Sequence, residues 1–530
     1  MMAQGPNGEP IYILQEGAKN RSGRNAQENN IMAARAVAES VRSTLGPLGF
    51  DKLLVGGGGE VTITNDGVTI LELLHAEHPA AKIIIEISKT QDNQCHDGTT
   101  SAAVMSGSLL EQAKELIEKQ VHPAIIVKGY HFALNIVNET LDEMGWELNN
   151  DELADAARTS INGKSAESAI DTLSDISVRA LDAVRDDEGN VNLDNIKVST
   201  FEGGTYDQSE LLSGLVVEKE RVHSEMPQSI VSASVLLLKT PLEPKETKIE
   251  SKLNINDPAI LEAFLAREEE AIKVMCQEIA NSGANAVFCQ KDIDPLAAHY
   301  LAQSNILAVK RVKNSDMEAL RRITGAKLVS EIKELKSEQL GDASLNSEEK
   351  FGEHVCVCVT NEDAKSQTVI LRGATGHTVS ELERCFDDVI GVVALSDESK
   401  IMLAGGGSAY AHLARVLRDR AHEAPGRQAM AVESFASALE SIPWTLAENS
   451  GADPVDTLLS LKGANIHDGV SIDGEIANMR DLGVIEPRKL IRTAISSAVE
   501  ASTLILRIDD VISMKPSGDN LPPPMMGMGG

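Results

Sequence analysis

Aromatic residues are scarce in this chain. Two Trp, five Tyr and eight Phe among 530 residues amount to 3% of the sequence, so its interiors must be filled by Ala, Val, Ile and Leu. Cysteine is sparse as well. Cys95, Cys276, Cys289, Cys356, Cys358 and Cys385 are scattered without the close spacing of a disulfide-stapled scaffold. That pattern predicts reduced thiols and a cytoplasmic address. Long apolar runs are missing; Val389-Ile-Gly-Val-Val-Ala-Leu395 is far too short to span a bilayer. Basic charge is in deficit, with 49 Lys and Arg against 80 Asp and Glu, a net charge of −31. So acidic a surface repels nucleic acid and anionic membrane, and neither is expected as a partner. Met1 to Pro10 carry neither a basic cluster nor an apolar stretch, so no signal peptide is expected. A Walker A pattern is also absent, which sets the chain apart from ordinary P-loop enzymes.

What is present is a globular composition, 42% hydrophobic and 24% charged, on a chain too long for one hydrophobic core. Residues 20–148 are rich in Ala-laden helical patterns. Ile31, Ala34, Val37, Ala38, Val41 and Leu45 fall on one helical face that stops at Gly46-Pro47. Val61–Thr64 and Val68–Ile70 flank Asn65-Asp66-Gly67, which reads as a strand pair around a tight turn. Helices are expected over about 101–120, 122–144 and 151–185. From about 215 to 366, short β runs alternate with helices, the pattern of an inserted α/β domain. The Ala-rich helical style returns after 400, for instance from Gln428 to Ala447. The expected arrangement is therefore nested, with both ends of the chain forming one domain. The Pro-, Met- and Gly-rich tail, 516–530, is expected to be disordered.

Three glycine-containing loops precede or follow helical patterns: Thr44-Leu-Gly-Pro-Leu-Gly49, Asp97-Gly98-Thr99-Thr100-Ser101 and Gly405-Gly406-Gly407. Glycines let a backbone approach a polyphosphate closely, and the free N–H groups at a helix start donate to its oxygens. A carboxylate there, Asp97, repels phosphate unless a cation such as Mg²⁺ stands between them. Taken singly, each feature is also an ordinary cap, turn or hairpin.

The ordered set goes further. Thr44-Leu-Gly-Pro47, Ile63-Thr-Asn-Asp-Gly67, Asp97-Gly-Thr-Thr100 and Gly405-Gly-Gly407 resemble, in order and spacing, the motifs of the chaperonins. Glu77-His-Pro-Ala-Ala-Lys82, Lys89-Thr-Gln-Asp92, Gly283-Ala-Asn-Ala-Val-Phe-Cys-Gln-Lys291, Leu371-Arg-Gly-Ala-Thr375 and Leu504-Ile-Leu-Arg-Ile-Asp-Asp510 resemble the group II branch, the archaeal thermosomes and the eukaryotic cytosolic chaperonin. The likeness spans about 10–515.

The resemblance implies a multidomain fold with a mostly α-helical split equatorial domain (1–148 and 400–515) and a small α/β intermediate domain (149–214 and 367–399). It also implies an α/β apical domain (215–366) whose helical protrusion, about 243–275, is a built-in lid. Expected partners are identical or paralogous subunits in two stacked rings and unfolded protein clients, with no separate co-chaperonin lid. Expected cofactors are ATP and Mg²⁺. Position by position, the nucleotide falls on Thr44, Leu45, Gly46 and Pro47, on Asp97, Gly98, Thr99 and Thr100, and on Gly406 and Gly407. Asp97 corresponds to the Mg²⁺ ligand, Asp66 and Asp388 to the carboxylates that activate water, Lys164 to the sensor of the γ-phosphate, and Glu486 to the acid at the ribose. In the lid, Asp257-Pro258 reads as a helix start that leads into Ile260, Leu261, Phe264 and Leu265.

Two departures from the family pattern bear on hydrolysis. His96 stands where the family has glycine, and Ser408-Ala409-Tyr410 replaces Ala-Pro-Glu. They motivate an alternative, a weakly hydrolysing structural or regulatory subunit of a mixed ring. His354, Cys356 and Cys358 share one face of an alternating segment, for which a plain strand is the preferred reading over a metal site.

Overall fold

The computed structural model describes residues 2–4, 10–12, 19–22, 24–56, 59, 61–74, 76–149, 152–164, 169–244, 258–333, 335–352, 354–361 and 366–513. The expected disordered tail, the expected cap Asp257 and lid residues 245–257 lie outside them. The chain divides into two compact units, residues 1–164 with 395–530, and residues 165–394. The architecture is multidomain: a helical unit built from both ends of the chain, and an α/β unit between them.

The first unit opens with helices α1 (Arg24–Arg42), α2 (Gly67–Leu73), α3 (Pro79–Cys95), α4 (Thr99–Glu118), α5 (Pro123–Met144) and α6 (Glu152–Ile161). Ile31, Ala34, Val37, Ala38 and Val41 are buried along one face of α1, and Leu45 is buried just beyond it. The strand Val61–Thr64 pairs antiparallel with Lys52–Val55, not with Val68–Ile70. Those latter residues belong to α2, because the Asp66 carboxylate caps that helix. It accepts from the Thr69 amide at 3.0 Å and the Thr69 hydroxyl at 2.6 Å. Such a cap is worth about 1 kcal/mol, enough to turn β-branched residues into a first helical turn.

The second unit holds α7 (Ile170–Val184), α8 (Pro258–Asn281), α9 (Pro295–Gln303), α10 (Asn314–Thr324) and α11 (Gly376–Ser399), whose last residues are counted with the first unit. The single helical stretch expected over 151–185 is thus two helices, parted around Gly163, whose φ is +83°. Leu307–Val309, Ala286–Cys289 and Ser229–Leu238 run parallel in the main sheet, which continues antiparallel through Gly341–Phe351, His354–Thr360 and Leu215–Val217. Val235 and Leu237 enter one apolar cluster, Leu236 and Leu238 the other, as a strand buried on both faces requires. A smaller sheet orders Ile196–Glu202, Gln367–Gly373 and Glu210–Ser213.

Returning to the first unit, the strand Ile401–Ala404 lies between Ile485–Pro487 and Trp146–Glu147. It is followed by α12 (Ser408–Arg420), α13 (Gln428–Leu439), α14 (Ser441–Asn449), α15 (Pro454–Lys462) and α16 (Arg488–Leu506). The helix expected from Gln428 to Ala447 is divided between α13 and α14. Both chain ends feed one core, from Ile31, Ile84 and Leu109 to Leu413, Phe435 and Ile495. Aromatics are rare in it, and Tyr130 meets Phe435 edge to face at 5.6 Å. All six cysteines are free and buried. Among the described residues, no helix is long and apolar enough to cross a membrane.

Candidate functional site

The first unit gathers most of the residues singled out in the sequence. The loop after α1 is held from behind. Asn449 donates to the Leu45 carbonyl at 2.8 Å, and the Thr44 hydroxyl donates to the Val41 carbonyl at 2.8 Å. Gly46 has φ +86°, a conformation that L side chains rarely adopt. Pro47 lies against Gly163, where an added β-carbon would stand 2.5 Å from the Pro47 Cα. The Asn65 side chain donates to the Gly163 carbonyl. Thus the 44–47 loop, the 65–67 turn and the 163–164 turn share one neighbourhood.

Asp97 and Gly98 join the same place. Gly98 is the N-cap of α4 with φ 76°, and no side chain caps that helix start. The Asp97 carboxylate accepts from the Gly98 amide at 2.8 Å, and its Oδ1 lies 4.0 Å from Lys164 Nζ. The Gln91 side chain fixes the loop by donating to the Asp97 carbonyl at 2.9 Å and the Leu490 carbonyl at 3.3 Å. A β-carbon on Gly67 would stand 3.0 Å from the Thr99 hydroxyl and 3.1 Å from the Thr100 amide. Only glycine lets the Asp66 turn lie that close to the start of α4.

Gly407 caps α12 as Gly98 caps α4, with φ 74° and no side-chain bond. Gly405 faces Glu486, whose Oε1 would be 3.0 Å from an added β-carbon. Tyr410, buried in the first turn of α12, lies close to Ser101 in the first turn of α4. Two glycine-capped helix starts, each with unclaimed N–H groups, therefore lie side by side.

The charges are unbalanced. Burial, and then the Asp97 charge, push the Glu486 carboxyl up to about 8. Burial, then the Asp66 charge, also raise Asp92, while His96 and Lys164 act in the opposite sense. Burial and the Glu486 charge raise the Tyr410 phenol. Asp66, Asp92, Asp97 and Glu486 thus share a region in which Lys164 is the near lysine. Such a donor set suits a divalent cation together with an anion laid on the helix starts, so the residues present fit Mg²⁺ and a polyphosphate. Asp92 had no role in the sequence reading, although it stands inside the Lys89–Asp92 motif; its spacing of five residues from Asp97 was the available signal.

His96 adopts φ 56° as the C-cap of α3, the left-handed conformation for which glycine is the usual residue. Asp388 lies in α11, in the second unit, half-buried. The strand His354–Thr360 carries Cys356 and Cys358 inward with thiols pushed up to about 11 and about 12, whereas His354 is exposed against Phe201. Among the described residues, His354, Cys356 and Cys358 do not form a group that could hold a metal ion.

The sequence model of the TCP-1/cpn60 chaperonin family matches residues 37–516. Similar known proteins include the thermosome subunit beta of Archaeoglobus fulgidus, 46% identical over 96% of this chain and 95% of that protein. The thermosome subunit of Methanocaldococcus jannaschii is 46% identical over 97% of each chain. The thermosome subunit alpha of Thermoplasma acidophilum is 44% identical over 98% of this chain and 96% of that protein.

Proposed function

The chain belongs to the TCP-1/cpn60 chaperonin family and is an ATP-dependent chaperonin subunit, and from that premise we propose how its residues bind and hydrolyse ATP to drive a folding chamber. The supporting observation is the convergence on one neighbourhood of the Asp66–Gly67 turn, the Asp97–Thr100 helix start, Lys164 and the Gly405–Gly407 loop backed by Glu486.

The backbone amides at the starts of α4 and α12 bind phosphate oxygens, and Thr99 and Thr100 add hydroxyl donors. Thr44, Leu45, Gly46 and Pro47 form the opposite rim, with Gly406 and Gly407 closing it. Asp97 would hold Mg²⁺, which when bound would supply charge neutralisation at the phosphates. Lys164, beside Asp97, orients the terminal phosphate. Asp66 accepts a proton from the attacking water, and Asp388 is assigned the second carboxylate. Glu486, kept protonated by its surroundings, offers an O–H to a ribose hydroxyl.

The three-domain division expected from the sequence, with α8 leading out of a lid near 243–275, remains our assignment. The chain is proposed to act in the cytoplasm, in two stacked rings of identical or paralogous copies that enclose unfolded clients, with no separate cap. The hairpin Lys52–Val55/Val61–Thr64 supports assembly: Leu53, Val55, Val61 and Ile63 are exposed on it, and Phe50 is exposed just before it, an apolar surface suited to a neighbouring subunit. The alternative of a weakly hydrolysing ring subunit is not favoured. Purified protein should release phosphate from ATP with Mg²⁺ and appear as double rings by negative-stain imaging. Asp388→Ala should bind ATP but not turn it over. A monomer of 56.7 kDa without turnover would sink the reading.

A further inference from the structure

Away from that site, the second unit brings His223, Glu225 and His299 together. Their ligand atoms all lie within 4.8 Å of one another, and the two imidazoles are 5.8 Å apart between ring centres. We infer that these three side chains form a binding site for a divalent transition-metal ion, with Zn²⁺ the best match to the donors.

The backbone beneath them is firmly set. His223 and Glu225 sit on the connection into Ser229–Leu238. Val222 donates to the Ala308 carbonyl at 3.0 Å, and Arg221 donates to the Met226 carbonyl at 2.6 Å. Met226 is buried in the same apolar cluster as Ile272 and Cys276 of α8 and Ala297, Ala298 and Leu301 of α9. His299 rides on α9, which Asp294 caps through the Leu296 amide at 2.8 Å. One ligand pair therefore comes from an anchored loop and the third ligand from a packed helix. A rigid base with half-exposed side chains leaves only rotamers to adjust. Around a tetrahedral ion with bonds of about 2.0–2.1 Å, ligand atoms stand about 3.3 Å apart, so atoms now within 4.8 Å of one another need to close by at most about 1.5 Å.

Two imidazoles and a carboxylate form a zinc donor set that leaves a fourth position for water. Magnesium prefers oxygen donors, so this site and the Asp97 region select different ions. The neighbouring groups suit the task. Nδ1 of His223 accepts from the Glu225 amide at 3.2 Å, so that lone pair is present for a metal to claim in place of a weak bond. The Gln303 amide touches His299 Nε2 at 2.9 Å. With the amide oxygen turned inward it takes the ring proton and leaves the other nitrogen to ligate. Beside His299, the Tyr300 hydroxyl donates to Glu269 of α8 at 2.8 Å. A bound ion therefore clamps the loop onto α9, at the base of α8.

The test uses the full-length chain, stripped with chelator and then held in excess Mg²⁺ to occupy oxygen-rich sites. Zn²⁺ is titrated by calorimetry, and its ligands are read by X-ray absorption. The expected result is one Zn²⁺ per chain with a Kd of about 1 μM or tighter and two imidazoles in its shell. Affinity should fall at least about tenfold in His299→Ala and in His223→Ala. Glu225→Gln, at an exposed position, guards against misfolding and should weaken binding with an unchanged melting curve. Zn²⁺ binding that survives His223→Ala/His299→Ala, sulfur in the shell, or no binding tighter than about 100 μM would each overturn the assignment.

Discussion

Gly67, the first residue of α2, lies so close to Thr100 that a β-carbon on it would collide with the threonine hydroxyl. Alanine is otherwise favoured over glycine in a helix by about 1 kcal/mol, so Gly67→Ala should melt within about 1 kcal/mol of the parent. It should nonetheless push the Asp66 turn off the start of α4. ATP affinity, read with a fluorescent nucleotide, is expected to drop at least about tenfold, or roughly 1.4 kcal/mol. Undiminished affinity would mean that the contact has no part in nucleotide binding.

Lys164 stands 4.0 Å from Asp97 with most of its side chain covered. If its task is to stabilise charge on the terminal phosphate, Lys164→Ala should lower kcat by about 10²-fold and KM by little. A rise in KM with kcat intact would recast the lysine as a simple anchor.

His96 occupies a left-handed conformation at φ 56°. Side chains with a β-carbon pay about 1–2 kcal/mol there, partly offset by glycine's greater freedom in the unfolded chain. His96→Gly is therefore expected to raise the denaturant midpoint by the equivalent of about 0.5–1 kcal/mol. A fall would show that the imidazole's attraction for Asp92 outweighs the backbone strain.

The helical frame could be read from periodic apolar residues, because Ile31, Ala34, Val37 and Val41 repeat at a helix's spacing whatever lies around them. Val68–Ile70 could not. Its β-branched composition favours a strand, and only the capping bond from Asp66 to Thr69 makes it helical. The glycine loops were legible as loops, and the family motifs named their residues. Their meeting place was not legible, since the contact of Gly67 with Thr99 and Thr100 and that of Asp97 with Lys164 join residues more than thirty positions apart. Asp92 escaped notice for the same reason: its environment is made by Asp66 and Lys164, which only folding brings near. In the trio at His223, Glu225 and His299, only the first two stand close in the sequence, and folding brings His299 to them.

Tyr410 replaces a family carboxylate yet is buried against Ser101, with Glu486 and Asp97 nearby. Tyr410→Phe removes the buried hydroxyl while keeping the ring, and the change should be within about 1.5 kcal/mol in urea melts. Because the hydroxyl lies where α12 and α4 begin, ATP affinity should fall by several-fold. Equal affinity with equal stability would mean that the hydroxyl contributes to neither.

Glu486 gives the site a pH dependence of definite sign. Its carboxyl is pushed from 4.5 up to about 8, first by burial and then by the Asp97 charge. The folded chain therefore holds a proton that the unfolded chain releases between those values. Stability from this group is fully present below about 4.5 and is lost as pH rises through about 8. The slope contributed within that window approaches about 1.4 kcal/mol per pH unit. Glu486→Gln, neutral in both states, should flatten the decline in unfolding free energy between pH 5 and pH 8, the range over which the two proteins are to be melted. Asp97→Asn should let folded Glu486 ionise at lower pH, so that the decline ends earlier, because it removes the second cause of the shift. A decline of the same steepness in Glu486→Gln would assign the titration to another group.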